Sequence, residues 1–488
     1  METRPRELVA SRRQVDASLA GWTGFGAIVV MVLASTHIGN VPQNGGGRWW
    51  FTLPTLGGVF ASPVLWVLFY AALATMVGAW WQLGRLGKQG MLSQRQVVTI
   101  LAAWCVPLLL GPPMFSGDMY SYAAQGTLAH EGLNPYQLGP IALAPGPLLS
   151  SVAPVWLYTP APYGPLFLFV AKEVMVVFGG SVVGSVMVMR LTEMLGVVLL
   201  VRFLPRLAVH MGADPVRALW IGVLSPVPLF SLISSGHNDT LMVGFLVAGV
   251  ALAMEDRPLA GVALCAVAMT IKLPAVAGVG FIGMMWSYRF ERIAERAKVM
   301  AKSAAVTLIV AAAATWLAGL GWGWLNPSTL STPTALTLAA APVAAVGLTV
   351  ANLLQVLGAG VATSVVVGTA QVVGAATAVG LSVAMLLRAK GRCMPPALAV
   401  SFLAVVLLGP VLWPWYLTWG LVLLAATRAQ DLPALALMAV VAALIVLPDG
   451  SSIGVGPAYV PVAVLSLAVA VWAVRSGRWR SLLPELIS

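Results

Sequence analysis

The chain has 488 residues, of which 59% are hydrophobic and only 9% charged, with a mean hydropathy of +0.92. Soluble domains carry roughly 25% charged residues, so a water-facing globule is excluded. The formal net charge of +11 does not mark a nucleic-acid binder, because the cations stand in short groups at the ends of apolar runs, the distribution that orients membrane proteins.

Apolar stretches of roughly 15–25 residues suit a helix crossing about 30 Å of hydrocarbon. Alternating strand patterns are absent, so the predicted fold is an all-α integral membrane bundle. The cation groups are Arg4, Arg6, Arg12 and Arg13; Arg85, Lys88 and Arg95; Arg202, Arg206 and Arg217; Arg289, Arg292, Arg296, Lys298 and Lys302; Arg388, Lys390 and Arg392; and Arg475, Arg478 and Arg480. With these placed in the cytoplasm, a retained first span is predicted at 21–39, followed by spans at 58–82 and 97–111. The next long stretch, Gln96 to Ala171, contains no Lys or Arg. Within it, residues 112–163 carry nine prolines that break any span, and form a predicted external loop with interfacial amphipathic helices.

Residues 163–178 are apolar but short, and Lys172 and Glu173 interrupt them, which predicts a re-entrant or tilted half-helix. Spans then follow at 184–202, 218–235, 240–254, 258–271, 274–288 and 301–320. After an outer segment, 322–362, come 364–388, 396–411, 415–428, 433–448 and 459–474, about 14 spans in all with both termini inside. The chain reads as one multi-spanning domain, 1–488, without a separate soluble domain. Cys105, Cys265 and Cys393 show neither disulfide nor metal spacing.

Few acids fall on the outer side or at membrane depth: Asp118, Glu131, Asp239 and Asp449, with Glu173 and Glu193 in apolar surroundings. Asp118, in S-G-D-M-Y-S-Y-A-A-Q-G, reads locally as a helix N-cap. Placed beside Tyr120 and Tyr122 at the headgroup level, it also suits a general base. In S-S-G-H-N-D-T-L-M, Asn238 or Asp239 caps the next span, yet His237, Asn238 and Asp239 together exceed what a cap needs. One His and two oxygens without partners at ligand spacing predict no metal site.

Charges at membrane depth point to function. Arg190 and Glu193, three residues apart, suit a mutual ion pair, and Arg190 also suits a phosphate. Lys272, in T-I-K-L-P-A, either snorkels or binds phosphate. Trp413, Trp415, Tyr416 and Trp419 read as an aromatic belt or as a platform for sugar rings.

At these residues the chain resembles the GT-C glycosyltransferases, and more closely the actinobacterial polyprenol-phosphomannose-dependent α-(1→6)-mannopyranosyltransferases. The matching pieces, in order, are G-D-M-Y-S-Y-A-A-Q-G, L-N-P-Y, Y-T-P-A-P-Y-G-P-L-F (which holds Tyr163), G-H-N-D-T-L-M, I-K-L-P-A and W-P-W-Y-L-T-W. The resemblance implies a plasma-membrane enzyme whose catalytic base is Asp118 on the outer face. It implies a polyprenyl-phosphomannose donor, a phosphatidylinositol-anchored mannan acceptor, and an inverting transfer that builds lipomannan. Arg190, Lys272 or Lys172 would steady the departing phosphate. No cofactor is implied, and no Gly-rich phosphate loop or nucleotide-sugar fold is present. Two rival readings are a lipid-linked glycan flippase, which predicts repeated halves that are not visible, and a GT-C transferase for another sugar.

Overall fold

The computed structural model describes residues 3–44, 47–48, 50, 60–326, 341–431, 433–444, 446–451 and 460–464, with isolated residues beyond. Among them the fold is helical, apart from a two-residue hairpin in which β1 (Gln43–Asn44) pairs antiparallel with β2 (Gly47–Arg48). The first helices are α1 (Thr3–Ile38), α2 (Ser62–Lys88) and α3 (Gln94–Leu110), and then α4 (Asp118–His130). Two short turns, α5 (Pro147–Ser151) and α6 (Pro154–Leu157), lead to α7 (Pro165–Phe178) and α8 (Val182–His210). Next come α9 (Pro215–Gly222), α10 (Asp239–Met254), α11 (Pro258–Ile271), α12 (Val276–Ser287) and α13 (Ile293–Ala318). The remainder are α14 (Pro342–Val356), α15 (Thr363–Leu387), α16 (Met394–Leu408), α17 (Leu417–Ala425) and α18 (Pro433–Ala443).

Among the described residues, six helices are long and apolar enough to cross a membrane, or seven if the bent pair Pro228–Ser234 and α10 counts as one span. Further apolar helices of 10–17 residues lie where other spans are predicted, but that length is at or below what crosses about 30 Å of hydrocarbon. The predicted span at 218–235 is not continuous. It consists of α9, a break at 223–225 and the π-helical turn Pro228–Ser234, after which the chain bends by 112° into α10. The predicted outer segment 322–362 contains the apolar helix α14. Most of the predicted span at 459–474 lies outside the described residues. Helix α7 has 14 residues, about 21 Å at the helical rise.

Capping and small residues set this packing. Ser93 and Gln96 form a reciprocal capping box that starts α3. Trp80 and Trp220 stack at 4.6 Å, and each indole N–H donates to the other residue's carbonyl, at 3.0 and 2.8 Å, tying α2 to α9. Helices α8 and α10 approach so closely that a Cβ on Gly244 would lie 2.6 Å from the Cα of Gly196, a small-residue contact that lets membrane helices touch backbone to backbone.

Candidate active site

One end each of α3, α4, α8 and α10 is stitched to the others before any reactive group is placed. Arg190, buried in α8, donates to the carbonyls of Leu109 at 3.1 Å and Gly111 at 2.8 Å, and also to that of Leu108. These are C-terminal carbonyls of α3 that the helix itself leaves unpaired. Glu193, one turn on, accepts from the backbone N–H of Leu241 at 3.1 Å, in the first turn of α10. The predicted Arg190–Glu193 ion pair is therefore absent, because each side chain satisfies a different helix end.

The loop that follows α3 carries Phe115 at φ 67°, a left-handed conformation unusual for a bulky side chain. Its N–H donates to Pro448 at 2.9 Å, and its ring packs on Phe230 at 4.7 Å. Ser235 donates to Met114 at 2.6 Å. Gly236, at φ +70°, leaves no room for a side chain: a Cβ there would lie 2.4 Å from Met119 and 2.6 Å from Arg190. The Asp118 loop and the His237 loop thus share one rigid seam.

Asp118 is the first residue of α4, with Gly117 as the cap, and its carboxylate caps nothing. Its Oδ1 accepts from Trp156 Nε1 at 2.8 Å, and its Oδ2 lies 3.4 Å from His237 Nδ1. Tyr122 places its hydroxyl 3.3 Å from the same Nδ1. Burial alone pushes the Asp118 carboxyl up. The hydrogen bonds and field of His237, the Trp156 bond and the Lys272 charge outweigh it and hold the group below the ordinary carboxylate range. His237 stacks on Trp415 at 3.8 Å, and Trp413 extends the stack at 4.8 Å.

Asp239 likewise does not cap α10. Its Oδ2 accepts from Lys272 Nζ at 2.6 Å and its Oδ1 from Trp419 Nε1 at 2.6 Å. Lys272 stands where Pro274 ends the run of α11, and it lies 4.6 Å over the Tyr416 ring and 5.9 Å over the Tyr163 ring. Asn238 Oδ1 is 3.5 Å from the same ammonium. Tyr163 in turn meets Tyr122 edge-on at 5.0 Å. Nε2 of His237 and Nδ2 of Asn238 are buried and bond to no protein group among the described residues, an arrangement that native interiors seldom tolerate away from a site.

The fold thus gathers Asp118, Tyr122, Tyr163, His237, Asn238, Asp239, Lys272, Trp413, Trp415 and Tyr416 from five stretches of chain. Three predicted participants stand elsewhere. Tyr120 turns away and donates to Asn40 at 2.7 Å, Arg190 is committed to α3, and Lys172 is half-buried on α7 outside the cluster. Helix α4 is also not the surface-lying amphipathic helix predicted, since it is buried on every face from Asp118 to Gly126. Sequence reasoning misses Trp156 as a partner of the carboxylate; its only sign is a tryptophan among prolines in the cation-free loop.

Beside the cluster lies a cavity of about 550 Å³ whose lining joins Trp156, Tyr163, Lys272, Trp413, Tyr416 and Trp419 to the apolar side chains of Val276, Phe281, Phe402 and Val405. A lysine and aromatic faces therefore open onto a space suited to hydrocarbon, and the Asp118 carboxylate is hydrogen-bonded to Trp156 in its wall. Among the described residues, no group of three or more His, Cys, Asp or Glu side chains is placed to hold a metal ion.

A family model described as alpha-(1→6)-mannopyranosyltransferase, N-terminal domain, matches residues 21–288, and one described as MptB C-terminal domain matches residues 343–476. The chain is 36% identical to alpha-(1→6)-mannopyranosyltransferase A of Mycobacterium tuberculosis, covering 79% of this chain and 76% of that protein. It is 36% identical to a probable alpha-(1→6)-mannopyranosyltransferase of Mycolicibacterium smegmatis, over 72% and 68%. It is 28% identical to alpha-(1→6)-mannopyranosyltransferase B of Corynebacterium glutamicum, over 80% and 69%. No solved structure matches the chain. The chain belongs to the α-(1→6)-mannopyranosyltransferase family and is a membrane glycosyltransferase.

Proposed function

We propose that the protein transfers mannose from a polyprenyl-phosphomannose donor to a mannan carried on a phosphatidylinositol-type anchor, forming α-(1→6) linkages with inversion at the anomeric carbon. The observation that carries this reading is the Asp118 carboxylate, held ionised beside His237, next to an apolar cavity that also presents a buried lysine. The acceptor's 6-hydroxyl oxygen bonds to the anomeric carbon of the donor mannose, and Asp118 takes the hydroxyl proton. The bond from that carbon to the phosphate oxygen breaks, and the phosphate departs with the electron pair. A phosphate needs no proton in order to leave, so one base suffices where glycoside hydrolases need two carboxylates.

Lys272 offsets the charge that develops on the phosphate, with Asp239 and Asn238 fixing the position of its ammonium. The apolar part of the cavity takes the isoprenoid, and Trp413 and Trp415 offer faces on which sugar rings stack. The lipid-linked sugar is a substrate, and the reaction uses no cofactor. The site works at the outer face of the plasma membrane, with the basic groups in the cytoplasm.

Membranes containing the protein should move labelled mannose from polyprenyl phosphate to a short α-(1→6) mannoside without any nucleotide sugar. Transfer from a nucleotide sugar alone, or of a different sugar from the same lipid, would rule the reading out.

A further inference from the structure

At the other end of α12 from Lys272, a second cavity of about 260 Å³ is lined by Met285, Tyr288, Arg289, Arg296, Lys390 and Gly391. Helix α12 and the turn before it separate this cavity from the catalytic cluster, so the two lie at opposite ends of α12. Cations at helix ends ordinarily report orientation only, and for that they need no common focus. Here two cations from two segments converge on one ring, and Arg289 joins them in the lining. The Arg296 guanidinium lies 5.6 Å and the Lys390 ammonium 5.1 Å from the centre of Tyr288.

The ring itself is fixed, since its hydroxyl donates to Leu387 at 3.1 Å. Arg296 is fixed too: its Nε donates to Phe290 at 2.8 Å, while its two amino groups bond to no protein acceptor among the described residues. Arg289 pairs with Asp256 at 2.9 Å, and that carboxylate is 84% exposed. Lys390 forms no ion pair among the described residues, and no carboxylate lines the cavity.

We propose that this cavity is a binding site for a phosphate group, carried in the membrane by an acidic phospholipid headgroup. Basic pockets between membrane helices suit such headgroups, because the oxygens of one phosphate can accept from several cations at the interface. A phosphate seated between Arg296 and Lys390 would hold the start of α13, just past the first matched part, to the turn after α15, inside the second.

The test uses the full chain in neutral detergent. It is titrated with a short-chain phosphatidic acid and separately with inorganic phosphate, with thermal unfolding and native mass spectrometry as readouts. Saturable lipid binding is expected, weakened about fivefold by Arg296→Gln and again by Lys390→Gln, and retained in Arg296→Lys and Lys390→Arg. Those conservative variants show whether any loss follows from charge or from misfolding. Saturable binding of inorganic phosphate with the same charge dependence, but not of the lipid, would support the anion site and identify free phosphate as its occupant. Absence of saturable binding by either, or equal affinity in the Gln variants, would overturn the proposal.

Discussion

At the scale of single residues, the site rests on one carboxylate with both oxygens engaged. Burial favours its protonated form, while His237, Trp156 and Lys272 favour the ionised form and prevail. A base with a depressed pKa is present above that value and is lost as pH falls through it. Transfer should therefore hold down to about pH 4, the ordinary aspartate range, and fail only below it. His237→Gln removes the strongest lowering influence, so the acidic limb of the kcat/KM profile should move up in pH. An unmoved limb would show that His237 does not act on Asp118.

Asp118 and Asp239 were legible in the sequence because few acids fall on the outer side, His237 because it extends a polar run beyond what a cap needs, and Lys272 because charges are expensive at membrane depth. Their roles were less so. Capping rules look a few residues ahead, whereas the partners of these carboxylates arrive from Trp156, His237, Lys272 and Trp419, far along the chain. Tyr120 and Tyr122 look alike in sequence, but two steps along a buried helix send one hydroxyl to Asn40 and the other to His237.

At the scale of elements, helices were readable wherever hydropathy and proline agree, as at α2, α8 and α13. The break between α9 and α10 was not. Residues 223–238 are buried throughout, so an apolar composition persists across a backbone that is not continuous helix. Such a break survives at membrane depth only inside protein, and here it delivers His237 and Asn238 to the site. Its position depends on the α8–α10 contact. Gly244→Leu should force these helices apart and lower stability by about 1–3 kcal/mol, the usual consequence of overpacking, read as a drop in melting temperature in detergent. An unchanged melting temperature would mean that the Gly196–Gly244 approach does not set the packing.

At the scale of the whole molecule, the cation-free stretch and the basic groups define two faces. The Asp118–Lys272 cluster and the Tyr288 cavity lie at opposite ends of α12, and the proposed topology places them on opposite sides of the membrane. Single cysteines report it directly. In a Cys393→Ser background, Ser150→Cys should react with a membrane-impermeant maleimide on intact cells, and Ala294→Cys only after lysis. The reverse pattern would invert the orientation. The order of the motifs made the family legible, while the cavity did not follow from it, since its lining joins α12 to α16 across more than a hundred residues.

The most direct test of the account is the rate of mannose transfer by Asp118→Asn, a change that keeps the shape of the side chain and an oxygen able to accept from Trp156. Loss of a positioned base is worth roughly 10²–10⁴ in rate, and transfer should fall by that factor while the protein inserts and melts as before. Transfer at the unsubstituted rate would contradict Asp118 as the base.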